Sequence, residues 1–247
     1  MKIIVRADDL GYADAINYGI RKVVTDGVAN NIGVMINKKY AKNGINLISN
    51  ENICLGLHTN ISSGKPVSDP ALIPSLIRGN FFKRSAEYNN SSQDIVVVQE
   101  AEIETQNQIE KFKSLVGYLP QYIDFHAVFS PNFATAVKNV AQRNGIPFIG
   151  LSSKDKPIYV NKKSVITHIA KGQTQQELFD QFKKIVNSDC NGTINLIIYH
   201  PGYLDAEVLN RSSLNKKRVY DAAFLASQEL KEFSTLNHVE FKKINEL

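Results

Sequence analysis

The chain has 247 residues, 43% hydrophobic and 21% charged, with a formal net charge of +5 at pH 7. That length suits one α/β barrel or two small domains, and the apolar fraction is that of a globular protein with a sizeable core. The lysines are scattered, with no basic stripe interleaved with aromatics, which argues against a nucleic-acid partner. No apolar run approaches the length of a membrane span, so no membrane partner is expected. Lys2 to Arg6 is too short for a signal-peptide core and runs straight into Asp8 and Asp9, so a soluble, cytoplasmic protein is expected. The two cysteines, Cys54 and Cys190, are far apart and in no CxxC pattern. Reduced thiols are the expectation.

Ile3 to Ala7 reads as a short buried strand that stops at Asp8 and Asp9, with Gly11 placed to turn the chain. Two adjacent acids repel each other, and burying either alone is costly, so a nearby cation would resolve the conflict. The plainer reading is that one of them caps the next helix. That helix is predicted over Ala13 to Asp26, with Ile16, Ile20, Val23 and Val24 on one face. Asn31 to Ile36 suggests a second strand and Ala41 to Ser49 a short helix. Ile53 to Leu57 is a third apolar run, ending at His58.

From Ser62 to about Ser92 the periodicity dissolves, broken by Gly64, Pro66, Pro70 and Pro74. A segment of this length reads as a lid or substrate-binding insertion, or as a plain surface loop. Asp94 to Val116 carries the strongest helical pattern and stops at Gly117. Pro120 to His126 reads as a strand ending in a histidine, and Pro131 to Arg143 as a helix with proline in its first turn. Pro147 to Leu151 and Ile158 to Val160 are short strand candidates. Thr174 and Glu177 have capping-box spacing at the start of a helix running to Val186. Thr193 to Tyr199 is the clearest strand and ends at His200-Pro201-Gly202. One last helix is predicted over Asn215 to Phe233, and a last strand over His238 to Phe241. Strands alternating with helices point to an α/β fold with a mostly parallel sheet. No linker divides the chain, so a single domain over residues 1–247, with an insertion at about 62–92, is expected.

Three of the five histidines, His58, His126 and His200, sit where an apolar run gives way to a loop, as do Asp8 and Asp9. In parallel α/β folds those strand ends share one face, where active sites gather. Two imidazoles and one carboxylate make a metal site with open positions. The remaining acid and histidine are then free for proton transfer. Asp124 lies two residues before His126 on the same strand face, as an orienting partner or as a structural acid. His168 and His238 read as structural. Tyr12, Phe129, Phe133 and Tyr203 lie near these groups in sequence, as sugar-stacking rings or as core.

Ala7-Asp8-Asp9-Leu10-Gly11, Gly56-Leu57-His58-Thr59-Asn60, Asp124-Phe125-His126 and His200-Pro201-Gly202 occur in that order. Together they resemble the YdjC-like carbohydrate deacetylases, which include chitooligosaccharide deacetylases, over Lys2 to about Leu230. The resemblance implies a distorted (β/α) barrel, with mostly parallel strands and outer helices, similar to that of NodB-type polysaccharide deacetylases. It implies one divalent metal ion and removal of acetyl groups from a small N-acetylated oligosaccharide such as diacetylchitobiose. Carried over residue by residue, it makes Asp9, His58 and His126 the metal ligands, Asp8 the general base and His200 the general acid. The order within the Asp pair rests on similarity to NodB-type enzymes. Two imidazoles suit zinc, whereas the resemblance points to magnesium. Many relatives carry a further histidine two residues after the metal histidine; this chain has Val128 there. A metal-dependent phosphoesterase, a non-haem iron oxygenase and a non-catalytic sugar- or metal-binding protein are the competing readings. The base rate for soluble enzymes favours a homodimer.

Overall fold

The apolar runs become neighbours in one curled, mostly parallel sheet. The computed structural model describes residues 1–152, 155–188 and 192–247, so Cys190 lies outside the described residues. In chain order the elements begin with β1 (Lys2–Leu10), α1 (Asp14–Thr25), β2 (Asn31–Val34), α2 (Ala41–Leu47) and β3 (Cys54–Thr59). A hairpin of β4 (Ile77–Arg78) and β5 (Phe81–Phe82) follows, then the short α3 (Ser85–Asn89) and the long α4 (Val98–Val116). Next come β6 (Ile123–Phe125), α5 (Pro131–Arg143), β7 (Ile158–Val160), β8 (Lys163–Ile169), α6 (Gln175–Val186) and β9 (Ile194–Tyr199). The chain ends with α7 (Ala206–Arg211), α8 (Lys216–Leu225), α9 (Gln228–Leu236) and β10 (Glu240–Phe241).

The strand order is β6-β3-β2-β1-β9-β8-β7, with β10 beside the start of β1. Among the described residues, only β7 runs antiparallel to its neighbour in this sheet. The segment 147–152 ties the far strands together. Ile149 N–H donates to Ile123 O on β6 at 2.9 Å. Further along, Thr167 N–H on β8 donates to Ser152 Oγ at 2.8 Å. The sheet thereby curls into a distorted (β/α) barrel, as expected.

Side chains alternate across the strands with period two. Ile4, Cys54, Tyr122, Ile149, Val165, Leu196 and Ile198 form the barrel's interior core. Ile3, Val5, Ala7, Leu55, Leu57, Ile123, Ile197 and Tyr199 belong to the larger core that also holds the inner faces of the helices. Cys54 is a free, buried thiol whose pKa burial pushes up to about 11. Among the described residues, no helix is long and apolar enough to cross a membrane.

Local chemistry sets the helix ends. Gly117 ends α4 at φ 94, a left-handed conformation that glycine adopts without strain. The Ser130 hydroxyl accepts from Phe133 N–H at the start of α5, with Pro131 in the first turn. At α6, Thr174 accepts from Glu177 N–H, while the Glu177 carboxylate reaches back to Gln173 N–H instead of closing the box on Thr174.

Several boundaries differ from the sequence reading. β1 runs through Asp8 and Asp9 to Leu10, and the helix that follows is flanked by Ala13 with no side-chain cap, so neither acid is a helix cap. Asp94 to Val97 precede α4 instead of joining it. The predicted helix over Asn215 to Phe233 is two helices, because Ser227 caps a fresh N-terminus by accepting from Leu230 N–H. Strand β8 and helix α7 were absent from the sequence reading; β8 mixes Lys163, Ser164 and Thr167 with its apolar residues, which blurs the alternation. Pro147 to Leu151 makes only a single bridge, Ile123 to Phe148.

The insertion is folded and pinned. The fully buried Glu104 carboxylate accepts from Val67 N–H at 3.0 Å and Ser68 N–H at 2.9 Å. One turn earlier on α4, Glu100 accepts from Ser75 N–H. The Tyr88 hydroxyl contacts Ile61 O and Leu76 O, both at 3.1 Å. These contacts make the segment a wall fixed to α4.

Gly56 shows how tightly the barrel interior is filled. A Cβ there would lie 2.3 Å from Tyr122 Cζ, and that ring is fully buried. Gly56→Ala should destabilise the fold by about 1–3 kcal/mol through overpacking, read as a lowered midpoint in urea unfolding.

Candidate metal centre

Adjacent residues on a strand normally face opposite ways. Asp8 and Asp9 both reach the centre because β1 gains a residue at this point. Ala7 pairs with Ile32 and Leu10 with Val34, so three steps on β1 match two on β2. Asp9 takes up the difference at φ 78, a left-handed conformation that Asp tolerates better than most residues. Gly33 on β2 makes the room, since a Cβ there would lie 2.5 Å from Asp8 Oδ1.

The parallel register sets His58 on β3 directly beside Asp124 on β6. His58 Nδ1 lies 3.0 Å from both Asp124 oxygens, which orients the ring and turns Nε2 toward Asp9 and His126. Asp9 Oδ1 is 3.4 Å from His58 Nε2 and 3.0 Å from His126 Nδ1, and the two ring nitrogens are 3.2 Å apart. Asp9 Oδ1, His58 Nε2 and His126 Nδ1 thus cluster within reach of a single ion, and Asp9 Oδ1 is buried. An ion bonded at about 2.1 Å spaces its ligands by roughly 3.0 Å at right angles and roughly 3.4 Å at tetrahedral angles, so the triangle fits a divalent cation.

Two arginines that the sequence reading passed over complete the site. Arg6, inside the apolar β1, places Nη2 2.8 Å from Asp8 Oδ2 and 2.6 Å from Asp124 Oδ2. Arg218 on α8 places Nη2 2.7 Å from the other oxygen of Asp9. Arg6 carried a signal: a charge two residues before an acid on a buried strand needs a partner on its own face. Arg218 carried none, lying within the basic run Lys216-Lys217-Arg218.

Three buried carboxylates against two guanidiniums leave one negative charge, and the ionisations follow from it. Burial favours the neutral form of Asp9, but His126 and Arg218 outweigh it and hold the carboxyl well below its usual range. Burial is likewise outweighed at Asp124, by Arg6 and His58. At Asp8 burial wins over Arg6 and His58, and the pKa is raised. Burial would discharge His58, but Asp124 and Asp8 outweigh it and lift its pKa well above 6.5.

His200 also lies in this cavity, half-buried, but it belongs to neither His/Asp cluster. Its backbone N–H donates to Asp221 at 2.9 Å, and burial lowers its side-chain pKa to about 3. His168 contacts Asn195 at 2.8 Å and His238 is exposed, both away from the cavity. Val128 is fully buried in the core. The cavity has a volume of about 1210 Å³ and is walled in part by the insertion, through Ser62, Arg78 and Phe81.

The family of YdjC-like proteins matches residues 2–236. The chain belongs to the YdjC-like family. This YdjC-like protein is 28% identical to a carbohydrate deacetylase of Clostridium beijerinckii over 97% of each chain. It is 27% identical to carbohydrate deacetylase 2 of Listeria innocua, over 97% of this chain and 96% of that one. Among solved structures, one from Enterococcus faecalis described as a cellobiose-phosphate cleavage protein superposes with a TM-score of 0.83 at 19% identity, covering 99% of this chain and 98% of that one. A family 4 acetyl xylan esterase from Clostridium thermocellum, solved with a cobalt ion, gives 0.52 at 14% identity, covering 100% of this chain and 89% of that one. These two likenesses show that the chain shares its barrel fold with both proteins.

The raised pKa of His58 has a measurable consequence for the metal-free protein. Stability from the charged ring is fully present below the unfolded value of about 6.5 and is lost as pH rises through the higher folded value. With chelator present, Tm should therefore fall from pH 6 to pH 9, and His58→Gln should flatten that fall in a thermal-shift series.

Proposed function

We propose that this YdjC-like protein is a metal-dependent hydrolase that removes N-acetyl groups from small amino-sugar oligomers. The observation that carries the reading is the triangle of Asp9 Oδ1, His58 Nε2 and His126 Nδ1, with edges of 3.0 to 3.4 Å at the floor of an open cavity. The deacetylase names of the relatives support the reaction class. These three residues would hold one divalent ion, and their donor set suits zinc better than magnesium. When bound, the ion polarises the acyl oxygen and lowers the pKa of water.

Asp8 is the general base. Its Oδ2 is held by Arg6 while Oδ1 has no hydrogen bond, which leaves a lone pair for the proton of the attacking water. Asp124 keeps His58 in the tautomer that carries the proton on Nδ1 and presents a bare Nε2. Arg218 holds Asp9 ionised. His200 would pass to the departing nitrogen the proton that Asp8 takes from the attacking water, so that no net proton is needed. Its low pKa means the ring is neutral at rest, so it charges only as negative charge builds on the reacting group.

A two-metal phosphoesterase fits less well. The second cluster, Asp8, His58 and Asp124, already has its cation, the Arg6 guanidinium.

Acetate release from N-acetylglucosamine oligomers should stop on chelation and return with zinc or magnesium. His58→Ala and His126→Ala should lose metal and activity together. Asp8→Asn should keep the metal, by calorimetric titration, while kcat falls roughly 10²–10⁴-fold. Loss of metal in Asp8→Asn with retention in Asp9→Asn would reverse the two roles.

A further inference from the structure

The four aromatic residues near the site in sequence part company in the structure. Phe133 is fully buried in the core, and Tyr12 is 6% exposed with its hydroxyl donating to Arg211 O. Tyr203 does not line the cavity. Phe129 does, and it is 64% exposed.

A lone exposed phenylalanine is ordinary on a protein surface. The backbone under this one is unusual. Asn89, at the end of the insertion's short helix α3, grips it from both sides. Asn89 Nδ2 donates to Ala127 O at 3.0 Å, and Phe129 N–H donates to Asn89 Oδ1 at 2.9 Å. Ala127 between His126 and this grip stands at φ 52. On the other side Ser130 Oγ donates to Asp94, which also accepts from Asn132 N–H at 2.9 Å. The loop from His126 to α5 is thus fixed at successive residues, and it carries Phe129 at the cavity wall. A backbone held in this way presents the ring before any ligand arrives, which lowers the ordering cost of binding. The C–H face of a pyranose is its natural partner, stacking on the electron-rich face of an aromatic ring.

Depth decides which sugar ring this is. Asp8, Asp9 and His58 are at most 3% exposed at the cavity floor, whereas Phe129 stands at its rim. A ring whose acyl group reaches the floor leaves the rim to its neighbour. We propose that Phe129, held by Asn89, is the stacking platform for the sugar ring next to the one that is deacetylated. The nature of the ligand rests on the deacetylase reading; the platform itself rests on the geometry above.

Two experiments test this. In Phe129→Ala, KM for diacetylchitobiose should rise roughly tenfold with kcat changed less than about twofold, while the constants for N-acetylglucosamine stay fixed. Phe129→Tyr should restore the low KM. Asn89→Ala should raise KM similarly and add little in the Phe129→Ala background, because both act through one ring. Unchanged KM in Phe129→Ala, or an equal rise for both sugars, overturns the proposal. The chain has no tryptophan, so Phe129→Trp carries the sole one. Its emission should quench and shift with diacetylchitobiose but not with the same concentration of N-acetylglucosamine. No change with the disaccharide, or equal change with both, overturns the platform. An emission change without acetate release from any sugar sinks the deacetylase reading and upholds the platform.

Discussion

The centre is governed by a charge imbalance that the fold itself creates. Asp8, Asp9 and Asp124 are all buried in one cluster, and among the described residues their arginine partners are Arg6 and Arg218. Buried charges of one sign cannot remain uncompensated. The remaining negative charge is balanced by a proton, for which the raised pKa values of His58 and Asp8 make both acceptors, or by a cation between Asp9 and the two histidines. Proton and metal therefore compete for one role. The raised His58 pKa and the open donor triangle are two views of the same deficit.

The imbalance needs both acids of one dipeptide on the same side of a strand, which period two forbids. The extra residue on β1 lifts the restriction at the cost of a left-handed Asp9. Gly33 removes the side chain that would occupy the space. The Asp-Asp pair, the bulge and the glycine on the next strand form one device, and none of the three makes sense alone. A residue in a sparsely populated conformation at a cluster of ionisable groups is where backbone strain is often held in functional sites.

Much of this was legible in the sequence, because strand ends in a parallel sheet share a face. Asp8, Asp9, His58, Asp124, His126 and His200 could be gathered without knowing any distance. The order within the acid pair could not be derived from composition or spacing, because a regular strand would send Asp8 and Asp9 to opposite faces and the bulge is invisible in the residues. Arg218 was equally hidden: a helix with adjacent lysines reads as a solvated face, and only tertiary packing turns one of its three cations inward. The single long helix over 215–233 failed for a related reason, since Ser227 reads as one more polar residue until its hydroxyl meets Leu230 N–H.

The segment 62–92 and the candidate metal site are also one construction. Beyond His58 and His126 the sheet ends, and its backbone groups lose their partners. After His58, the Gln108 side chain takes over, accepting from Asn60 N–H at 3.1 Å and donating to Asn60 O at 2.7 Å. After His126, Asn89 does the same for Ala127 O and Phe129 N–H. A side-chain amide sets an N–H donor beside a carbonyl acceptor, as a peptide group does, so it can stand in for the missing strand. Gln108 belongs to α4, and Asn89 belongs to the segment that Glu100 and Glu104 fasten to α4. The two imidazoles are thereby referenced to the same helix from opposite sides. An insertion that only covered the cavity would need neither grip. One that also fixes the spacing of the two imidazoles must be rigid, and the buried Glu104 carboxylate at its root supplies that rigidity.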